Sequence, residues 1–190
     1  MLKGEAAWRF ADVTSALEAM RWRPEVTPEE IPAPIKIAPY AAAISAVAAA
    51  GTEELANGRL VLLHDPAGNP SWDGTFRCVG FIQADVDAEM AADPLLTEVG
   101  WSWLIDALER QHASYLAPSG TVTSVNSRAF GGMEGDPFRG QIEIRASWTP
   151  SIVQPEDILA HVKAWEELLC FAAGLPPLPA DVLPLTKRFR

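Results

Sequence analysis

Two neighbouring segments, residues 58–66 (GRLVLLHDP) and 75–87 (TFRCVGFIQADVD), carry apolar side chains at both alternate positions of a predicted strand. Successive side chains of a strand point to opposite faces of its sheet, and a strand that is apolar on both sides is covered on both sides. The pattern leaves two arrangements open. The helices of this chain are divided between the two faces, or one face meets another copy of the protein.

The rest of the chain supplies one sheet and its helices in the order α-βββ-α-ββ-α. Apolar spacings of three and four predict an amphipathic helix over residues 10–20. Alternating or apolar runs predict strands over 58–66, 75–87, 121–130 and 140–150, and two further helices begin near Asp93 and Pro155. The alanine-rich run 40–50 is compatible with a helix or a strand, and we expect a strand because the segments after it need a sheet partner. Because strands and helices do not alternate regularly, we expect an α+β fold with a five-stranded antiparallel sheet and helices packed against it.

Residues 24–39 (PEVTPEEIPAPIKIAP) contain five prolines in sixteen positions. Proline fixes φ and has no N–H to donate, so the segment is predicted to be an extended, irregular connector. Residues 175–190 are predicted to form an extended tail. All 190 residues are assigned to a single domain.

The net charge of −10 disfavours nucleic acid and anionic membranes as partners. The only basic run is KRFR at residues 187–190, and the longest mildly apolar run is too short to span a bilayer. Cys78 and Cys170 lie in apolar stretches and are predicted to be buried, reduced thiols. With no apolar leader at residues 1–10, these features predict a cytoplasmic location.

The stretch HDPAGNPSWDGTFR, residues 64–77, raises the possibility of a metal or acid–base site at His64, Asp65 and Asp73. A metal site needs three or four ligands, and the other two histidines stand in predicted helices with no paired spacing. Dense turn residues instead favour a hairpin end, with both aspartates bonding loop amides. Trp72 is then the unusual member: it is structural if buried and a candidate partner contact if exposed.

The glycine-rich stretch GGMEGDPFRG, residues 131–140, feeds a predicted strand and not a helix N-terminus, so it is predicted to be a hairpin loop and not a phosphate site. No serine elbow is present, and neither cysteine has the cationic surroundings that activate a thiol. We therefore predict no catalytic residue, no metal and no cofactor.

Trp101 and Trp103 stand two residues apart on a predicted helix and should face different directions. One is expected to pack inside and the other to lie on a second surface. That surface is either a contact within the chain or an oligomer interface, where tryptophan is enriched.

Two functional hypotheses follow. The first is a non-enzymatic protein-binding or chaperone-like module that binds a partner protein or itself through apolar surfaces. Its candidate contact residues are Trp72, Val79, Phe81 and Trp101. The alternative is a small-molecule-binding protein or enzyme with a pocket built from dispersed residues. Its candidates are His64, Asp73, Arg77, Arg128 and Arg145.

Several stretches resemble an actinobacterial family known as domain of unknown function 3000: RPEVTPEEIPAP, GRLVLLHDPAG, WDGTFR, MAADPLLTEVGWSWL, IEIRASWTP and AWEELLCFAAGLPPLP. The resemblance spans most of residues 23–179 and implies an actinobacterial cytoplasmic protein. It brings no activity, cofactor or catalytic residue. The element order is also similar to that of class I type III secretion chaperones and YbjN-like proteins, which are small, acidic, often dimeric proteins that bind other polypeptides.

Overall fold

A computed structural model describes residues 10–134 and 139–177. Its centre is a six-stranded, fully antiparallel sheet with the strand order β1-β2-β3-β4-β6-β5. The strands are β1 Val26–Ile31, β2 Tyr40–Ala50, β3 Glu53–Asn69, β4 Gly74–Val86, β5 Tyr115–Ser127 and β6 Arg139–Pro150. The α+β class and the antiparallel sheet are confirmed.

The expected five strands and the order α-βββ-α-ββ-α are wrong, because β1 lies inside the proline-rich segment. Pro28 sits opposite Ala46 of β2 in a regular antiparallel register. Proline has no N–H to donate to a ladder, but β1 is an edge strand with one neighbour, where a missing N–H is tolerated. The segment predicted as an irregular connector therefore supplies the sixth strand. The alanine-rich segment 40–50 is a strand, as predicted.

The helices are α1 Phe10–Ala16, α2 Ala88–Ala92, α3 Leu96–Arg110 and α4 Ile158–Ala172. A single helix was expected from Asp93, but Asp93 instead ends α2, and its side chain accepts from the N–H of Leu95 in the turn before α3. The additional five-residue helix α2 before α3 also changes the expected order. No helix in residues 10–134 or 139–177 is long and apolar enough to cross a membrane.

The four α-helices contact one face of the sheet, which we call the inner face. Trp165 of α4 packs beside Gly58 and Gly80, and α3 lies over β5 and β6. Phe10 of α1 stacks near Phe76 of β4. The largest fully buried side chains of the strands lie on this face: Ile82, Ile142, Ile144 and Trp148.

The opposite face, which we call the outer face, consists of the alternate residues of the same strands. On β4 it includes Val79 and Phe81, which lie between the inner-face residues Cys78, Gly80 and Ile82. Both faces of β3 and β4 carry apolar side chains, as expected, but the described helices cover only one of them. The distribution of helices over both faces is therefore not what the structure shows.

Two predicted segments fall partly outside the described residues. The C-terminal tail 175–190 is described only through residue 177, and the glycine-rich loop 131–140 is described except for residues 135–138.

Candidate functional site

The exposed part of the outer face begins at Val79, in the middle of the sheet. Val79 lies between Val61 of β3 and Ser147 of β6 in the strand register. Its side chain is 39% exposed, whereas Cys78 and Ile82 on the inner face of the same strand are almost wholly buried. In the centre of the sheet, Val79 is thus open to solvent, beside a half-buried Val61.

In the next row of cross-strand neighbours on this face, an aromatic ring lies between two arginines. Phe81 of β4 lies opposite Arg59 of β3 on one side and Arg145 of β6 on the other. The Arg145 guanidinium carbon is 5.4 Å from the centre of the Phe81 ring, within cation–π range. Arg145 also pairs with Glu143 at 2.7 Å, and its side chain remains 58% exposed. Two exposed guanidinium groups therefore flank a half-buried aromatic ring in this row.

A shallow hollow of about 500 Å³ lies over this part of the outer face. Its side chains come from β4, β5 and β6: Val79, Phe81, Ser119, Thr121, Arg145 and Ser147. The hollow combines apolar carbon, hydroxyl groups and a guanidinium, so it can hold apolar and hydrogen-bonding groups together.

Arg77 is buried at one end of the outer face. Its Nη1 donates to the carbonyl of Ala117 at 2.9 Å and to Thr149 Oγ1 at 3.0 Å, and its Nη2 donates to Ser119 Oγ at 3.0 Å and Ser147 Oγ at 2.7 Å. No described carboxylate forms an ion pair with it. Burial lowers the pKa of Arg77, yet a guanidinium remains protonated near neutral pH. Its positive charge is therefore compensated only by neutral acceptors.

The β3–β4 hairpin is tied to the same end of the outer face. Thr149 Oγ1, which accepts from Arg77, donates to the carbonyl oxygen of Trp72. The Trp72 side chain is half-buried, so it is neither fully packed, as a structural role requires, nor fully exposed, as expected of a partner contact. Asp65 accepts from the N–H of Ala67, as expected for a hairpin end, and Asp73 occupies a turn position with φ of +57°.

His64 lies on the inner face, away from the arginines. It is the cross-strand neighbour of Tyr40 and Phe76, and its ring stacks on Phe76 with 4.0 Å between ring centres. Its Nδ1 is 3.1 Å from the carbonyl oxygen of Thr75, so Nδ1 carries the hydrogen. Burial lowers the pKa of His64, against smaller opposing effects of the Thr75 carbonyl and Asp65. This is a packed aromatic histidine.

The remaining candidates are dispersed. Arg128 follows the end of β5, with its guanidinium carbon 5.9 Å from the ring centre of Phe130. Trp101 packs beside Gly120 of β5, and both Trp101 and Trp103 are half-buried against the core. Both can reach the core because α3 contacts α4 as well as the sheet.

The structure therefore unites residues from both hypotheses. Val79 and Phe81 share the outer face with Arg77 and Arg145, whereas His64 lies on the inner face and Asp73 at the hairpin turn. Arg128 and Trp101 lie on other elements, so the five residues of the alternative pocket do not share one cavity.

Arg59, Ser119 and Ser147 belong to this face and were missed. The residue types alone gave no reason to select them. Alternation places Arg59 and Ser147 on one side of their strands, but only the pairing of β3, β4 and β6 brings them next to Phe81 and Val79. That register joins residues far apart in the chain.

The two thiols and His161 belong to the interior. Cys78 and Cys170 are buried and free, as predicted; burial raises the pKa of Cys78, and raises that of Cys170 to about 12. Trp148 Nε1 donates to His161 Nδ1 at 3.1 Å, and burial lowers the pKa of His161 to about 4. Within the described part of the chain, no three histidine, cysteine or acidic side chains are grouped to hold a metal ion.

Comparison with known proteins gives a single result. A family model described as protein of unknown function (DUF3000) matches residues 6–183. No curated protein and no solved structure matches the chain. The match covers nearly the whole sequence, including every strand and helix described above, and the chain therefore belongs to the DUF3000 family.

Proposed function

We propose that this chain is a non-enzymatic protein-binding module whose outer sheet face binds an acidic segment of another polypeptide that also carries apolar side chains. The observation that carries the proposal is the row Arg59–Phe81–Arg145, in which two exposed arginines flank a half-buried ring. This row lies next to the exposed Val79 and the half-buried Val61. A module of this kind holds a partner segment without transforming it, as chaperone-like proteins do.

Apolar exposure supports a binding role for this face. Val79 is 39% exposed and Phe81 is half-buried on a sheet surface that no described helix covers. Contiguous apolar surface rimmed by polar groups marks interaction sites on soluble proteins. Aromatic and arginine side chains contribute most of the binding energy at many protein interfaces, and both occur in this row.

The charge of the face supports an acidic partner. Arg59 and Arg145 are exposed, and Arg77 lies behind the hydroxyl groups of Ser119 and Ser147 without a described carboxylate partner. On a chain of net charge −10 these three arginines form a local cationic cluster, in which Arg145 is paired with Glu143. Opposite charge steers a partner to such a region and selects against partners of the same charge.

The same charge pattern disfavours a second copy as the occupant. A two-fold contact places the same patch of each subunit against itself. Here that would bring the row of Arg59, Phe81 and Arg145 against its own arginines, which repel each other. A different, acidic polypeptide avoids this repulsion.

A cytoplasmic location is part of the proposal. Two buried free thiols are compatible with a reducing compartment, where disulfides are rare.

Two sets of twelve-residue peptides test the proposal. Both sets mix phenylalanine, leucine and tyrosine with charged residues, which are glutamate in one set and lysine in the other. Backbone NMR spectra of the full chain should shift at Val61, Val79 and Phe81 with glutamate peptides. The lysine set should bind at least about tenfold more weakly, the size expected for reversing the sign of several contacts of about 0.5 kcal/mol each.

The control variants are Arg59→Ser with Arg145→Ser, and Arg110→Ser on α3. The first pair should lose most of the glutamate-peptide binding, whereas Arg110→Ser should bind like the unmodified chain. Equal binding of both peptide sets, or shifts confined to another surface, would contradict the proposal. A dimer in light scattering that Phe81→Lys dissociates would identify a second copy as the occupant instead.

A further inference from the structure

The strand β5 forms one edge of the sheet, with β6 as its single neighbour. An edge strand presents a row of unpaired N–H and C=O groups that can pair with another strand. Most side chains of β5 are exposed, and in the described part of the chain no backbone group outside the sheet bonds to residues 119–127. Ser124 Oγ donates to the Ala91 carbonyl, but this contact uses a side chain and leaves the backbone edge open. This edge is therefore free to accept a further strand.

The opposite edge, β1, carries the features that keep an edge strand from pairing. It is six residues long and includes Pro28, Glu29 and Glu30. Proteins use short length, proline and charge to block an edge. Residues 119–127 of β5 contain no proline and no charged residue. They also keep a regular register with β6, because the irregularity of that pairing lies before Ser119. The chain thus protects one edge of its sheet and leaves the other able to pair.

The helix above this edge borders it with apolar side chains. Arg110 of α3 pairs with Glu167 of α4 at 2.8 Å, so that side of α3 faces α4. Trp101 stands nine residues earlier, on the opposite side of the helix. A Cβ at Gly120 of β5 would lie 2.9 Å from its ring. Ile105 follows Trp101 by four residues and shares its side, and both side chains are half-buried.

We infer that β5 pairs with β5 of a second copy of this chain, antiparallel, about a two-fold axis normal to the sheet. A two-fold contact requires a surface that is complementary to itself. An antiparallel pair meets this requirement, because each strand offers the other the same backbone groups. Residues 119–127 set no like charges against each other, whereas the outer face would oppose its arginines. An acidic or basic polypeptide would find no opposite charge on this edge, so a second copy is the favoured occupant.

The symmetry fixes the arrangement of the pair. Pairing over the whole of residues 119–127 places Thr123 at the axis, opposite its own copy, and threonine opposite threonine is a favourable cross-strand pair. The helices of both copies lie on one side of the continuous sheet, with Trp101 and Ile105 bordering the junction. Both outer faces lie on the other side and stay uncovered. The inference therefore does not rest on the proposed function.

Light scattering of the full chain over a range of protein and salt concentrations is the first test. We expect twice the mass of one chain at high protein concentration and the mass of one chain on dilution. Added salt should strengthen the dimer, because it screens the repulsion between two chains of net charge −10 and does not weaken an uncharged contact. Hydrogen exchange measured by mass spectrometry locates the contact, and residues 119–127 should become protected as the dimer forms.

Matched threonine substitutions at the two edges test the pairing. Thr123→Lys sets two cations opposite each other at the axis and should weaken the dimer several-fold. Thr123→Glu should do the same, and an equal mixture of the two variants should recover the dimer, because opposite charges then meet. Thr27→Lys is the control: Thr27 is exposed on β1, at the other edge, and its substitution should leave the dimer intact. Phe81→Lys should also leave it intact, which separates this dimer from a contact through the outer face.

The inference is overturned if the unmodified chain stays monomeric up to millimolar concentration. A dimer that Thr27→Lys weakens and Thr123→Lys does not would also overturn it. So would a mixture of the lysine and glutamate variants at residue 123, both folded by circular dichroism, that fails to recover the dimer. The mass of the unmodified chain decides the first point, so the test does not depend on any variant.

Discussion

The two faces of the sheet are built from the same strands and differ in what lies against them. On β4, the inner-face residues Cys78 and Ile82 are packed under the helices, whereas Val79 between them is 39% exposed. Both sets are apolar, so apolar character alone does not tell which face forms the core. What distinguishes the outer face is its arginines, which a buried sheet face seldom carries. The inner face therefore forms most of the core, and the proposed binding role belongs to the exposed part of the outer face around Val79.

The largest expected difference between the faces is in how much the loss of one side chain lowers the free energy of unfolding. Ile82→Ala removes a side chain that is 1% exposed and should lower the free energy of unfolding by about 2–5 kcal/mol. Val79→Ala, on the outer face of the same strand, should change it by less than about 1 kcal/mol. Urea unfolding followed by circular dichroism measures both. Equal losses would show that the outer face is also packed.

The next largest effect is a loss of stability at low pH, caused by the buried His161. Burial lowers the pKa of His161 in the folded chain from 6.5 to about 4, so the unfolded chain binds the proton more readily. The neutral His161 therefore makes its full contribution to the free energy of unfolding above pH 6.5. This contribution, roughly 3 kcal/mol, is lost as the pH falls toward 4.

Urea unfolding at several pH values checks this prediction. His161→Gln keeps an acceptor for Trp148 and should show a shallower loss between pH 6.5 and 4 than the unmodified chain. The pKa of His64 is also lowered by burial and contributes in the same direction in both proteins. Parallel curves for the two proteins would contradict the assignment to His161.

A smaller effect is expected where the sheet needs glycine beneath α4. A Cβ at Gly58 would lie 2.9 Å from the Phe81 carbonyl oxygen and 2.9 Å from the Trp165 ring. Gly58→Ala should therefore cost about 1–3 kcal/mol, as overpacking of a core does. Gly132→Ala is the control, because nothing lies within 4 Å of its added Cβ. A melting temperature lowered only by the first substitution is the expected result.

Much of this fold can be predicted from the sequence, because local patterns carry it. The alternation in QIEIRASW predicts β6, and the apolar stripe of α4 is buried as its spacing indicates. The strand β1 could not be predicted in the same way. Its prolines disfavour a strand in general and are tolerated only because β1 is at the edge, which is a property of the whole sheet.

The candidate site is less accessible to sequence reasoning than the fold. Val79, Phe81 and Arg145 were identified as candidates, but under two different hypotheses. Their union depends on the register of β4 with β6, and Arg59 joins them through the register of β3 with β4. Pairing between strands is fixed by long-range packing, which a local pattern does not specify.

The most direct test of the difference between the faces is Phe81→Ser measured in two ways on one protein sample. If the outer face is a binding surface, the free energy of unfolding should fall by clearly less than it does for Ile82→Ala, because Phe81 is only half-buried, while binding of the glutamate peptides is lost. A loss of stability comparable to that of Ile82→Ala, or unchanged peptide binding, would contradict the account.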